Sequence, residues 1–515
     1  MLFLACLALP TAAIWAVKGF VTQDGPAHLY NAEILVQSLS PSSPFQEYFE
    51  VRGQPLPNWG GHLVTAALVA TLPPRAADRA MTTLTLVALP ITLFWLRRRV
   101  SGNDGLLIAA PLAALIGLNV TWLLGFNSFL IGASLFPITL NTWWNGRADG
   151  FSSRRALALA FWLVLGYFCH LISLGLTAFG LIVFEALTPS EKRRGRLLTT
   201  LAGLAPLVPL GVVYLGLMRQ GGGGLAPEWK HLESLISARS WINQMTWVDP
   251  VSLARKDYLP GLGTLASWHY ALAPAVWLGL GLALIVARRS VPSAEKRAWW
   301  FLGIALVLGG LLGPDTLGAT HGEYLQQRVV LLGIVTLMPV LPLGATSWRE
   351  RLGGLFILGA FAIQTLTLWD YARWSDHTAG AILRSREALG RGQRVATLLN
   401  DIKSPFRSNP LLHVDCALGV GNGNIIWSDY ETRFYYFPVQ FREGIRRPDA
   451  LAFEKVALSD DPLERRRLWK ALIERYEAIF DRVIVWKAEP AIDADNAERF
   501  SAIYRRDNVR ILRRK

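Results

Sequence analysis

What this chain can fold into is set first by apolar runs that recur up to residue 369. A helix needs about 20 apolar residues to cross a bilayer. Runs near that length lie at 1–20, 80–96, 106–124, 127–144, 156–169, 171–187, 197–217, 269–287, 298–313, 329–346 and 352–369. Polar punctuation at Gly125–Asn127 and at His170 divides the longest tracts. The composition agrees, with 52% hydrophobic and only 17% charged residues, too apolar for an ordinary soluble domain. The expectation is a polytopic α-helical membrane protein with about eleven transmembrane helices. One further run, 58–72, is short and opens "NWGGH".

The basic residues orient these spans. The net charge of +14 is not one patch; it is spread over short clusters at 97–99, 147–155, 192–196, 288–297 and 349–351. Such clusters read as cytoplasmic loops and not as a nucleic-acid surface. Two apolar runs separate each cluster from the next, so all share one face. The opposite face then receives the loops 21–79 and 218–268, residues 314–327 and everything after 370. Parity leaves no crossing for 58–72, which is expected at the outer interface or as a re-entrant segment. Twelve spans with the N-terminus outside is the other reading. Many of the twenty Trp, including Trp59, Trp143, Trp144, Trp299, Trp300, Trp348 and Trp369, stand at run ends, where interfacial belts form. Cys6, Cys169 and Cys416 have no metal or disulfide spacing. Residues 1–20 lack a basic leader and a convincing cleavage site, so they read as a retained span.

Residues 370–515 differ in kind. "RVATLL" (394–399), "RVIVWKA" (482–488) and "VRILRR" (509–514) read as strands. "DPLERRRLWKALIERYEAIF" (461–480) places Leu463, Leu468, Leu472, Ile473 and Tyr476 at helical spacing behind Asp461 and Pro462. "GVGNGN" (419–424) precedes "IIW", a strand pattern, so it reads as a turn and not as a dinucleotide fingerprint. The domain reading is therefore a membrane module over 1–369 and a soluble α/β domain over 370–515.

Ionisable and polar residues gather on the outer face: Asp24, His28, Glu33, Asn58, His62, Asn127, His170, His231, Asp249, His269, Asp315, His321, Glu323 and Arg328, with six of the eight histidines among them. Histidines so placed suit proton handling or anion contact; interfacial polarity is the plainer account. "TQDGPAHLYNAE" (22–33) is the most pointed stretch. Pro26 suits the first turn of a helix, Asp24 the position before it, and His28 and Asn31 would share one side of that helix. Asp24 could simply cap a surface helix.

This stretch resembles the GT-C superfamily of integral-membrane glycosyltransferases, which includes protein O-mannosyltransferases and aminoarabinose transferases. The resemblance rests on an acid just after the first span, the aromatic-Ala step in Tyr30-Asn31-Ala32, the Pro-rich "LPNWGGHLVTAALVATLPP" (56–74), a second long outer loop at 218–268 and a C-terminal outer domain. The family's adjacent second acid is replaced here by Gly25. The resemblance implies transfer of a hexosyl or pentosyl group from a polyprenyl-phosphate donor to a lipid, glycan or protein acceptor. It also implies the bacterial inner (plasma) membrane as location, with the site outside the cytoplasm. No cofactor and no metal ligand is carried over, and a divalent cation stays open.

On this reading Asp24 is the base that takes the acceptor's proton. Arg328 is the cation for the departing lipid phosphate, since guanidinium donates a paired fork; the alternative is a snorkelling interfacial arginine. His28, His62, His170 and Asn127 are expected to contact sugar or phosphate, and packing bonds within the bundle are the alternative for His62 and His170. Loop 218–268 opens with four glycines and carries Trp229, His231, Trp241, Trp247, Asp249 and Tyr258. It reads as a gate closing over donor, with Trp247 in contact, or as an interfacial amphipathic helix over 228–248. A transporter or flippase of a lipid-linked substrate is the competing class, and an envelope assembly protein the third. The chain lacks repeated halves and mid-span charges, which argues against transport.

Overall fold

The computed structural model describes residues 1–221, 224, 226–229, 237–255, 277, 279, 296–318, 322–343 and 348–515. Most of the expected span 269–287, together with His231, Tyr258, His269 and His321, lies outside them. The first half is helical: α1 (Leu2–Ala16), α2 (Gly25–Gln37), a short strand β1 (Phe49–Val51), α3 (Trp59–Thr71), α4 (Pro74–Ser101), α5 (Leu106–Gly117), α6 (Val120–Leu123), α7 (Asn127–Trp144), α8 (Ser153–Cys169) and α9 (Leu171–Leu187). Then come α10 (Arg193–Leu204), α11 (Leu207–Gln220), β2 (Pro227–Glu228), α12 (Ala238–Val248), α13 (Arg297–Leu312), β3 (Thr316–Leu317), α14 (Leu325–Leu337) and α15 (Trp348–His377). Among the described residues three helices are long and apolar enough to cross a bilayer: Pro74–Ser101, Arg193–Gln220 and Glu350–Leu389. Shorter apolar helices stand at Leu2–Ala16, Leu106–Gly117, Leu171–Leu187, Arg297–Leu312 and Leu325–Val340. The chain is a helical membrane protein.

Two features depart from the sequence reading. The run 106–124 is not one helix, because Asn119 stops it. Its amide donates back to Ile116 O (3.0 Å) and Gly117 O (3.1 Å), and its oxygen accepts from Trp122 N (3.0 Å), which starts α6. Nor are all the clustered basic residues solvated. Arg97, only 2% exposed, donates to Pro339 O (2.8 Å) and Leu341 O (2.7 Å). Arg196 pairs with Glu185 at 3.0 Å beneath Trp143. Elsewhere small residues set the packing. A Cβ at Gly310 would stand 2.8 Å from Gln326 O, and one at Gly333 2.9 Å from Val307 N, so α13 and α14 approach backbone to backbone.

α15 runs without interruption through residues 369–370. After it follow α16 (Ala379–Arg384), α17 (Arg386–Leu389), β4 (Arg394–Leu399), β5 (Ile425–Ile426), β6 (Val439–Phe441), α18 (Ala450–Leu458), α19 (Pro462–Tyr476), β7 (Arg482–Trp486), α20 (Pro490–Ala497), β8 (Phe500–Arg506) and β9 (Val509–Arg514). Five strands form a sheet in the order β5-β4-β7-β9-β8, with β4 parallel to β5 and β7. The stretches read as strand and helix, at 394–399, 482–486, 509–514 and 462–476, take those forms. Asp461 caps α19 by accepting from Leu463 N at 3.0 Å.

The first loop joins this region. β1 pairs antiparallel with β6. Tyr30, fully buried on α2, donates to Asn424 O (2.8 Å) and accepts from Ile426 N (3.2 Å). Leu29, Tyr30 and Ile34 of α2 share one apolar core with Val395, Leu398 and Trp486 of the sheet. α2 is buried from Gly25 to Leu35, so it is not a surface helix.

Candidate active site

Asp24 is placed by backbone bonds on both sides of the loop after α1. Val21 O accepts from Tyr371 Oη (2.6 Å), and Gly19 N donates to Asp376 Oδ1 (2.7 Å). Asp24 N donates to Leu124 O at 2.9 Å. That contact needs Gly125, whose φ is +84°, a region L residues rarely adopt. Asp24 stands at the N-cap position of α2, yet its side chain makes no capping bond. The carboxyl, 7% exposed, accepts from Gln23 Nε2 (3.3 Å) and lies 3.7 Å from His413 Nε2. Burial pushes its pKa up to about 7, against the pull of His28 and with a push from Glu323 and Glu431. A carboxyl so poised matches what a general base near neutral pH requires.

One turn further along α2, His28 and Asn31 meet two acids of the C-terminal region. Glu431, fully buried, pairs with His28 Nδ1 through one oxygen and with His62 Nε2 at 2.7 Å through the other. The two imidazoles stand 5.2 Å apart at 89°, and His62 Nδ1 reaches Asn58 O at 3.1 Å. Burying a lone carboxylate costs several kcal/mol. Burial alone would raise Glu431, but His28 and His62 outweigh it and hold the acid down at about 2. Next to it Asn31 Nδ2 donates to both oxygens of Asp429, at 3.0 and 3.1 Å. His413 stacks on Tyr430 at 4.4 Å, and burial lowers its pKa to about 3.

His28, His62 and Glu431 each offer a donor atom within 4.8 Å of the others. Two histidines and a glutamate form a donor set that suits a divalent transition metal such as zinc. The sequence reading missed Glu431, Asp429 and His413, because nothing local in the chain links them to α2.

Arg328 and His170 form the second half of the site. His170 caps α9, and its Nδ1 accepts from Ile172 N at 3.1 Å. A neutral imidazole whose Nδ1 accepts must carry its hydrogen on Nε2. Arg328 Nη1 lies 3.2 Å from that Nε2; a neutral imidazole has one acceptor nitrogen, so the Ile172 N–H and the Arg328 N–H compete for it and one of the two lacks its acceptor here. Among the described residues Arg328 Nε has no hydrogen-bond partner although it is buried. The guanidinium lies 4.3 Å from the ring centre of Phe126 and 5.2 Å from that of Phe129. Burial lowers its pKa, and cation–π attraction together with the charges of Glu323 and Asp24 steadies the cation.

Residues 124–126 connect the halves: Leu124 holds the Asp24 backbone and Phe126 floors Arg328. Trp247 stacks on Tyr324 (5.8 Å), whose ring meets Phe126 (5.8 Å), and Trp247 O accepts from Gln327 Nε2 (2.9 Å). Asn127 is buried at the start of α7, and among the described residues its side chain bonds to none of these groups. Asp249 accepts from Val251 N (3.0 Å) and Ser252 N (3.1 Å) and is fully buried; it fixes a turn.

No family model matches this sequence, and no curated protein matches it by sequence. Solved structures do. ArnT from Cupriavidus metallidurans, solved bound to undecaprenyl phosphate, superposes with a TM-score of 0.55 at 13% identity, over 99% of this chain and 97% of that one. The arabinofuranosyltransferase AftD from Mycobacteria gives a TM-score of 0.46 at 15% identity, over 99% of this chain and 39% of that one. The likeness to ArnT runs nearly end to end in both chains, and it establishes that this chain shares the fold of ArnT.

Proposed function

We propose that the protein is a glycosyltransferase that moves a sugar from a polyprenyl-phosphate donor to an acceptor hydroxyl on the extracytoplasmic face of the membrane. The observation that carries this reading is the buried Arg328 guanidinium, whose Nε has no hydrogen-bond partner among the described residues and whose Nη1 lies 3.2 Å from His170 Nε2. An anion's oxygens would accept from such a guanidinium. ArnT, whose fold the chain shares, was solved bound to undecaprenyl phosphate, and a lipid phosphate is the anion that suits a buried site in a membrane protein. Eleven crossings, with the loop 21–79, the loop 218–268 and residues 370–515 outside, complete the topology of this reading.

The chemistry follows from the two halves. The acceptor hydroxyl attacks the anomeric carbon as the bond to phosphate oxygen breaks. Asp24 takes the hydroxyl proton, and its raised pKa makes it a base of useful strength that still ionises near neutral pH. The departing phosphate gains negative charge, which Arg328, with His170 beside it, stabilises where it develops. The balance is one glycosidic bond formed, one glycosyl-phosphate bond broken, and one proton passed to Asp24 and then to water. Glu431 holds His28 and His62 in fixed poses beside this centre; α12 and Trp247 stand where a gate over the donor would act.

The test is native mass spectrometry of the detergent-solubilised protein with undecaprenyl phosphate and with the neutral alcohol undecaprenol. We expect the phosphate lipid retained in preference to the alcohol, and one phosphate lipid fewer retained per chain in Arg328→Ala. Equal retention of both lipids by the wild type overturns the reading.

A further inference from the structure

A basic cavity lies apart from this centre. It has a volume of about 470 Å³ and is lined by Trp15, Val17, Lys18, Pro73, Arg75 and Arg79, where α1 ends and α4 begins. Among the described residues none of the three cations forms an ion pair. Arg75 Nη2 donates to Lys18 O at 2.6 Å and Arg79 Nη2 to Val17 O. Each guanidinium is thereby fixed in pose through one nitrogen, and no protein acceptor among the described residues takes the others. Trp15 is held by its own bond to Thr83 Oγ1 (3.0 Å) and lies 5.6 Å below the Arg79 guanidinium. The start of α4 adds the positive end of a 28-residue helix.

The surroundings say what kind of anion fits. α1 exposes Leu2, Leu4, Leu9 and Trp15 along its length, and a face of that composition on a membrane protein meets lipid tails. Lys18 and Arg75 are exposed one step beyond Trp15, where tryptophan and basic residues sit at the headgroup level. We infer that this cavity is a binding site for the phosphate headgroup of an anionic lipid, with Lys18, Arg75 and Arg79 on the phosphate and Trp15 along the lipid. Basic pockets at helix ends take such headgroups. The competing account is that Arg75 and Arg79 only satisfy the last carbonyls after α1.

Two variants separate these accounts. Lys18→Gln touches no carbonyl bond, and Arg75→Gln removes one. In nanodiscs of phosphatidylcholine doped with phosphatidylglycerol or with undecaprenyl phosphate, lipid retention is read by native mass spectrometry. The background is Arg328→Ala, so that the first site does not contribute. We expect one anionic lipid retained per chain, about fivefold weaker in Lys18→Gln and weaker again in Lys18→Gln/Arg75→Gln. Preference for either lipid supports the site and identifies its occupant, and failure of inorganic phosphate at equal concentration to compete supports a lipid source. Unchanged retention in a well-folded Lys18→Gln/Arg75→Gln protein, or displacement by inorganic phosphate, overturns it. The Arg328→Ala background keeps this outcome independent of the proposed function.

Discussion

Glu431 Oε2 lies 2.7 Å from His62 Nε2, although the two residues are 369 positions apart. With the second oxygen on His28, this acid fastens the C-terminal region to α2 and α3. The C-terminal region is thus packed into the candidate site and is not an appendage to it. Glu431→Gln keeps the shape and removes the charge. Its depressed carboxyl, at about 2 against an ordinary 4.5, stabilises the fold above pH 4.5, and that contribution is lost as pH falls from about 4.5 to about 2. The variant should therefore melt several degrees lower at pH 7, with a gap to wild type that closes toward pH 3 in scanning fluorimetry. A gap that stays constant with pH would show that the charge does not act.

The same trio makes a metal prediction. The purified protein should take up one zinc ion per chain in inductively coupled plasma measurements, His62→Ala should abolish uptake, and His413→Ala should not. If wild type and His62→Ala bind zinc alike, the trio is an ion-pair lock alone.

For Asp24 the pH profile is the sharper test. If its carboxyl is the base, kcat/KM should rise with pH through an inflection near 7, because the free enzyme must lose that proton first. Asp24→Asn should still bind undecaprenyl phosphate and lose turnover by about a hundredfold or more. Asp24 makes no capping bond, so the amide costs the helix little. Burial raises the folded pKa, so the wild type should also lose stability as pH rises from about 4 to 7, and Asp24→Asn should not. Near-normal turnover in the variant moves the search to Glu323.

The parts of this molecule that were legible in the sequence are those governed by local pattern. Apolar length marks the helices, and strand and cap signals mark 394–399, 482–486 and 462–476. Asp24, His28 and His62 stood out because an acid and histidines beside a membrane span are unusual on their own. What was not legible depends on contacts across hundreds of residues. Asp429 and Glu431 sit in "IIWSDYETRF", which reads as any polar turn until Asn31, His28 and His62 are packed against it. The break at Asn119 was hidden because one polar residue in an apolar run seldom stops a helix. It does so here by bonding three backbone groups at once.

Arg328 should separate charge from geometry. Arg328→Ala is expected to weaken undecaprenyl phosphate binding and turnover together. Arg328→Lys should recover part of the binding, since it keeps the charge over Phe126 but not the fork. Binding by isothermal titration that is unchanged in the alanine variant would leave the arginine as a packing group over Phe126 and Phe129.

Gly125→Ala tests whether residues 124–126 couple the two halves. A Cβ there would stand 2.7 Å from Thr22 Oγ1, 2.8 Å from Gly25 N and 3.2 Å from Asp24 N. Two of those three atoms are backbone and cannot rotate away, so the loop holding Asp24 must shift. The residue's φ of +84° adds about 1–2 kcal/mol of strain for any L side chain. Gly102 supplies the control, because its φ is +68° but nothing lies within 4 Å of its Cβ position. Gly102, at φ +68° and ψ −146°, lies where L side chains are strained whatever the space, so its alanine variant should lose thermal stability through backbone strain with no neighbour to displace. Only Gly125→Ala should also lose turnover, by about tenfold or more, because displacing a base by about 1 Å costs far more than its packing. Its phosphate-lipid affinity should fall as well, since Phe126 moves with the loop. If Gly102→Ala and Gly125→Ala lose activity equally, the effect is strain alone and Asp24 and Arg328 are not coupled through this segment.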